Sequence, residues 1–397
     1  MEARAAATPD ALFGVDEDER RLSFAEYHAA ALRAAAGLGE RGIREGARVS
    51  WQLPTSLESL VLAGALARLG AVQNPILPIY REREVGFVTR QSEACLLCVP
   101  GVFRGFDHGA MADSIAAEQP GLDVLRVAAE LPAGDPAGLP AASDAEDELR
   151  WLFYTSGTTA DPKGARHSDA TLLAAARGMS RRLALHADDR IALVFPVTHV
   201  GGVLWLMNGL LTGASHIVIA SFDPATSIDV LARHGVTQAT AGTVFHQAYL
   251  AAQRERKGRL FPRVRSFPGG GAPKPPQLHH DIKRELGGVG IVSGYGLTEC
   301  PVLAMGSVDD PDDKLAHSEG RASPAETEIR VVKQGGASAA PGEEGEIRVR
   351  APQLCKGYLD ASLDAAAFSA APLSGFHYLK KSMQLVRNGQ MGPKARK

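Results

Sequence analysis

The sequence predicts an α/β fold of two mostly parallel sheets covered by helices, followed by a small β-barrel-like subdomain. Three observations carry this reading. Short apolar runs alternate with amphipathic stretches of helical period over residues 23–294, the pattern of buried strands joined by crossover helices. The chain has 397 residues and is 45% hydrophobic, enough for more than one core. From about Asp309 the alternation stops, and residues 327–332 and 345–349 read as period-two strands around a turn-rich link.

Residues 23–38 carry apolar positions at helical spacing, with Ser23 placed to cap and Glu26 three residues on. Residues 48–53 read as a strand, 55–69 as a helix, and 71–75 as the start of the next strand. Residues 94–99 form a buried strand, so Cys95-Leu96-Leu97-Cys98 reads as core rather than a redox pair, which needs exposed, electropositive thiols. Residues 107–147 are a helix and then a loose Ala, Pro, Gly and Asp connection. After the apolar run 149–154, helices are expected over 168–183, 202–211, 224–234, 244–256 and 276–286. Strands are expected over 191–196, 216–220, 237–241, 264–267 and 290–294. The implied domains are 1–305, with subdomains 46–180 and 1–45 plus 185–305, then a β-rich unit 306–368 and an atypical tail 369–397.

The formal net charge is -2 with acids and bases interspersed, which excludes the basic footprint of a nucleic-acid binder. Four cysteines in so long a chain argue against a disulfide scaffold. No secretory apolar segment opens the sequence, and the longest apolar stretch, 57–72, is interrupted by Arg68. A cytoplasmic protein without a membrane span is the expectation.

The most informative stretch is Tyr154-Thr155-Ser156-Gly157-Thr158-Thr159-Ala160-Asp161-Pro162-Lys163-Gly164. A strand leads into a loop of hydroxyls and glycines with one Lys. Glycines let the backbone approach oxygens closely, hydroxyls and N–H groups donate to them, and Lys adds a point charge. That chemistry suits the polyphosphate of ATP. The ordinary P-loop, Lys followed by Ser or Thr, is excluded because Gly164 follows Lys163.

The stretch resembles the phosphate loop of the adenylate-forming (AMP-binding) superfamily, which includes acyl-CoA synthetases, luciferases and peptide-synthetase adenylation domains. Only Ala160 departs from that family's Y/F-T-S-G-T-T-G-x-P-K-G. A second stretch, Gly294-Tyr295-Gly296-Leu297-Thr298-Glu299, is similar to the family's G-Y-G-x-T-E. The resemblance implies that Tyr295 stacks on adenine, Thr298 contacts the α-phosphate, and Glu299 with Thr155 helps hold Mg2+. It places Ser156, Thr158, Thr159 and Lys163 on the β/γ phosphates, counts Gly157, Gly164 and Gly296 among the nucleotide-binding residues, and sets Gly270, Gly271, Ala272 and Pro273 along the adenine and acyl pockets. Pro196 to Gly202 resembles the acyl-pocket motif, with His199 near the substrate carboxylate. Thr298, Glu299, Lys163 and His199 are thus the expected catalytic residues.

The implied reaction is attack of a carboxylate on the α-phosphorus of ATP, releasing pyrophosphate and giving an acyl-adenylate, then transfer to CoA. A fatty, aromatic or alicyclic acid is favoured, since no pocket Asp for an amino-acid amine is found around Ala241-Gly242-Thr243. The alternatives are a non-catalytic nucleotide- or acyl-binding remnant and an amino-acid adenylation domain. Self-association as a homodimer is left open. His279-His280 has no metal-ligand spacing and reads as surface, and Arg254, Arg256, Lys257 and Arg259 read as a solvated helix end.

The resemblance covers roughly residues 8–368. The family continues to a T-G-D whose Asp binds the ribose, a hinge and a small Lys-bearing domain. Here the sequence turns after Phe368 to a segment holding four of the chain's eleven lysines, with Ser374-Gly375-Phe376 a faint echo of the motif. The expectation is a truncated or frame-shifted end, a disordered tail, and impaired adenylation and thioester formation.

Overall fold

Leu96–Val99 is buried at every position, as a strand covered on both faces must be. It lies inside a six-stranded sheet of the computed structural model, which describes residues 1–155, 161–333, 336–370 and 377–381. The chain divides into two units, one of residues 1–170, 193–222 and 358–360, the other of 171–192, 223–357 and 361–397. This cuts the chain differently from the expected subdomains. Residues 1–45 stay with 46–170 because the helix Phe24–Glu40 packs on Leu57–Arg68, where the buried Tyr27 hydroxyl donates to Leu60 O at 3.2 Å.

In the first unit the sheet runs Lys163–His167, Trp151–Thr155, Val72–Pro75, Arg48–Trp51, Leu96–Val99, Asp123–Arg126. All neighbours are parallel except the first pair, which is an antiparallel hairpin. Leu12–Asp16 pairs in parallel with Ser215–Val218 and antiparallel with Arg21–Ser23. The expected capping box is present: Glu26 N–H donates to Ser23 Oγ at 3.2 Å, and Ser23 N–H to Glu26 Oε2 at 2.7 Å. Such a cap is worth about 1 kcal/mol.

In the second unit, parallel bridges join Ile191, Gln238 and Ser266, and Phe267–Gly270 pairs in parallel with Ile291–Tyr295. The expected strand over 237–241 is reduced to the bridge at Gln238. Its neighbouring side chains are drawn instead to buried Asp189, which accepts from Thr237 Oγ1 at 2.6 Å and Gln238 Nε2 at 3.2 Å. Ala304–Met305 and Arg321–Ala322 extend the sheet antiparallel. The β-rich unit is a four-stranded antiparallel sheet: Glu328–Val332, Glu346–Arg350, His377–Lys381, Phe368–Ala370. The strand Phe368–Ala370 runs into the stretch 369–397 expected to be an atypical tail, and His377–Lys381 lies within it. Their backbones are held by ladder hydrogen bonds. The rest of that stretch, including Ser374-Gly375-Phe376, lies outside the described residues.

His279 also corrects an expectation. It is fully buried, and its Nδ1 takes the Ile291 N–H at 3.1 Å, so it ties the helix Pro276–Glu285 to the strand beside it. A buried imidazole can substitute for a strand partner, and sequence spacing carries no sign of it.

Candidate functional site

The stretch 154–164 runs from the end of the strand Trp151–Thr155 to the start of the strand Lys163–His167, and the two strands pair antiparallel. The register pairs Thr155 directly with Lys163, and Tyr154 with Gly164. The Thr155 and Lys163 positions thus stand opposite each other at the hairpin mouth. Ser156, Gly157, Thr158 and Thr159 lie outside the described residues. Gly164 is required by packing: a Cβ there would come within 2.9 Å of the Tyr154 ring. Lys163 Nζ stands 5.4 Å from the centroid of the Tyr358 ring, a cation–π distance. Tyr358 is placed by an antiparallel bridge to Ala165 and by the Leu359 N–H, which donates to Gly164 O at 2.8 Å. The Tyr358 ring backs Lys163 across nearly two hundred residues of sequence, so no local pattern announces the contact.

His199, in the same unit, caps the helix Val200–Thr212: Gly201 N–H donates to its Nδ1 at 3.0 Å. Burial lowers its pKa to about 4, so the ring is neutral at pH 7. With Nδ1 accepting, the proton sits on Nε2, which makes His199 a donor. Phe195 meets the ring edge-on at 4.8 Å. The chain can fold back here only because Gly202 has no Cβ, which would lie 2.3 Å from Pro196 O.

The second unit carries the remaining candidates. Gly269 and Gly270 pair with Ser293 and Gly294, and a Cβ on Gly270 would lie 2.5 Å from Gly294 O. The loop Gly271, Ala272 and Pro273 is exposed, and Pro273 O accepts from Thr243 Oγ1 at 3.2 Å. After Tyr295 the chain turns tightly. Leu297 and Cys300 exchange backbone hydrogen bonds of 3.1 and 3.2 Å around Thr298 and Glu299. Gly296 is needed within it, since a Cβ would fall 2.2 Å from Val302 N. Glu299 is 5% exposed, and its carbonyl accepts from Cys355 N–H at 2.8 Å. Burial, with Cys300, Glu299 and Glu319 nearby, pushes the Tyr295 hydroxyl up to about 12, so it stays neutral.

A buried histidine supports the same loop. His246 is 1% exposed in the helix Thr243–Arg254, and its ring would meet a Gly269 Cβ at 2.8 Å. Burial lowers its pKa from 6.5 to about 4. The unfolded chain therefore binds more protons between these values, and stability falls as pH drops through that window and not below it. The expected contribution is on the order of 3 kcal/mol. Urea unfolding of wild type and His246→Gln at neutral and mildly acid pH checks this. The variant should lose less stability on acidification, and an identical acid slope would contradict it.

Two clusters are structural. Arg254 pairs with Glu285 at 2.8 Å and Arg256 pairs with Asp229, all on the surface. Cys98 is buried with its thiol pushed up to about 12, and the strand carries it away from Cys95. Of the expected site residues, the hairpin brings Thr155, Lys163 and Gly164 together in the first unit, which also holds His199. The second unit groups Gly270 to Pro273 with Tyr295, Gly296, Thr298 and Glu299.

Residues 1–359 match the family model described as AMP-binding enzyme. The chain is 30% identical to a 2-hydroxy-7-methoxy-5-methyl-1-naphthoate–CoA ligase of Streptomyces carzinostaticus, over 91% of this chain and 68% of that one. It is 28% identical to the medium-chain fatty-acid–CoA ligase of Escherichia coli strain K12 (90% and 64%). It is 32% identical to the salicyl-AMP ligase of Mycobacterium tuberculosis (90% and 65%). The chain thus spans about two thirds of the length of these relatives. Among solved structures it is similar to the N-terminal domain of FACL13 from Mycobacterium tuberculosis. The TM-score is 0.83 at 25% identity, covering 96% of this chain and 98% of that one.

Proposed function

The chain belongs to the AMP-binding enzyme family, and on that premise we propose that it activates a carboxylic acid with ATP to an acyl-adenylate, with CoA as the acceptor. The observation that carries this reading is the pairing of Thr155 with Lys163 at the hairpin mouth. A carboxylate and a triphosphate repel each other, so catalysis is mostly positioning and charge neutralisation. The carboxylate oxygen attacks the α-phosphorus and pyrophosphate leaves with the electron pair. Lys163, with the loop hydroxyls, neutralises the departing charge, and Tyr358 orients its ammonium. Thr298 donates to the α-phosphate. Neutral Tyr295 offers a flat, low-entropy platform for adenine. His199 donates from Nε2 to the substrate carboxylate, and its low pKa keeps that role constant from pH 5 upward.

Each residue expected at the cation suits Mg2+ by itself: Glu299 carries a nearly buried carboxylate and Thr155 a hydroxyl, both hard oxygen donors. Among the described residues no cluster of three or more His, Cys, Asp or Glu could hold a metal ion alone. Phosphate oxygens and water would complete the shell, as Mg2+ prefers. When bound, the ion supplies charge neutralisation at the phosphates.

No helix among the described residues is long and apolar enough to cross a membrane. The substrate class we favour is a fatty, aromatic or alicyclic acid. Pyrophosphate release measured across such acids and across amino acids tests it. Release with the former and not the latter is expected. Release with amino acids alone would support amino-acid adenylation. Nucleotide binding without release for any acid would make the chain a non-catalytic binder.

A further inference from the structure

We infer that Cys300 and Cys355 form a dithiol site beside Glu299 that closes to a disulfide when a peroxide or diamide reaches it. The two residues are distant in sequence and come together through the fold. The Cys355 N–H donates to Glu299 O at 2.8 Å, and Glu299 precedes Cys300. Standard backbone dimensions then hold the two Cα atoms roughly 4–7 Å apart, a range that covers the roughly 4.4–6.8 Å span a disulfide bridges. Both side chains are buried, at 0% and 6% exposure, and all four cysteines of the chain are thiols. The contrast with Cys95 and Cys98 is geometric. A strand advances about 3.3 Å per residue, which holds residues three apart beyond disulfide reach.

Oxidation starts at the more exposed thiol. The Cys355 thiolate attacks a peroxide oxygen, giving a sulfenic acid and releasing water after proton transfer. Cys300 sulfur then attacks the sulfenic sulfur, and a second water leaves. In sum, two thiols and one hydrogen peroxide give one disulfide and two waters. Because both groups are shielded, the reaction waits on local opening and is slow. The new bond would fix the backbone on both sides of the Glu299 carbonyl, and so constrain the side chain assigned to the cation. That consequence rests on the proposed function; the bond itself does not.

The test treats the full chain with hydrogen peroxide under native conditions, blocks remaining thiols, and maps tryptic peptides without reduction. The expected product joins peptide 285–314, which holds Cys300, to peptide 351–356, which holds Cys355, with loss of two hydrogens. Cys355→Ser and Cys300→Ser, each checked for folding by circular dichroism, should not form it. If the folded wild type gives no such link, or gives it only after denaturation, the proposal is overturned. Acid-dependent pyrophosphate release should fall on the order of a hundredfold on oxidation and return with dithiothreitol. A link without that fall would overturn the coupling to Glu299. No release from the reduced protein would count against the adenylation reading, and the peptide map would still decide on the dithiol.

Discussion

Lys163→Ala is expected to lower acid-dependent pyrophosphate release by about 100- to 1,000-fold, the usual cost of removing one preorganised donor from developing charge. Lys163 stands opposite Thr155 at the hairpin mouth, with its ammonium over Tyr358, so its charge is delivered to one place and not spread over a mobile side chain. The five residue pairs of the hairpin do not depend on the ammonium, so the fold should survive, which circular dichroism and the urea midpoint will show. Steady-state kinetics should place most of the loss in kcat, because the charge develops as pyrophosphate leaves. A variant with unchanged release would remove Lys163 from the mechanism.

Glu299→Gln carries the second large effect. The substitution keeps shape and leaves intact the backbone carbonyl that accepts from Cys355. It removes the charge that a hard cation wants. Release should fall on the order of a hundredfold, and half-saturation by Mg2+ should move to higher concentration. Measuring rate against Mg2+ at saturating ATP separates this from a folding defect. If the rate falls while the Mg2+ dependence is unchanged, Glu299 has a structural role in its tight turn and is not a cation ligand.

The sequence made both motifs and most of the sheet strands legible, for physical reasons that the structure displays. Leu96–Val99 is apolar throughout because both faces are covered, and Ser23 with Glu26 signals its helix locally. What escaped depends on non-local partners. Lys163–His167 is a strand with only Gly164 and Ala165 as small interior residues, so its apolar signal is weak. Its order comes from register with Trp151–Thr155 and from Tyr358. The reduced strand at Gln238 and the buried His279 likewise follow from Asp189 and Ile291, which no local pattern announces. The glycines of the site were read as room for ligand. At Gly164, Gly270 and Gly296 the structure adds a second reason, since a Cβ would strike Tyr154, Gly294 and Val302.

The central claim is that a substrate carboxylate attacks the α-phosphorus of ATP. An acid labelled with heavy oxygen in its carboxylate tests this most directly. With ATP and CoA, one labelled oxygen should appear in AMP, observed by mass spectrometry, because that oxygen bridges acyl group and phosphorus in the adenylate. AMP free of label, or ADP and phosphate in place of AMP and pyrophosphate, would contradict the account.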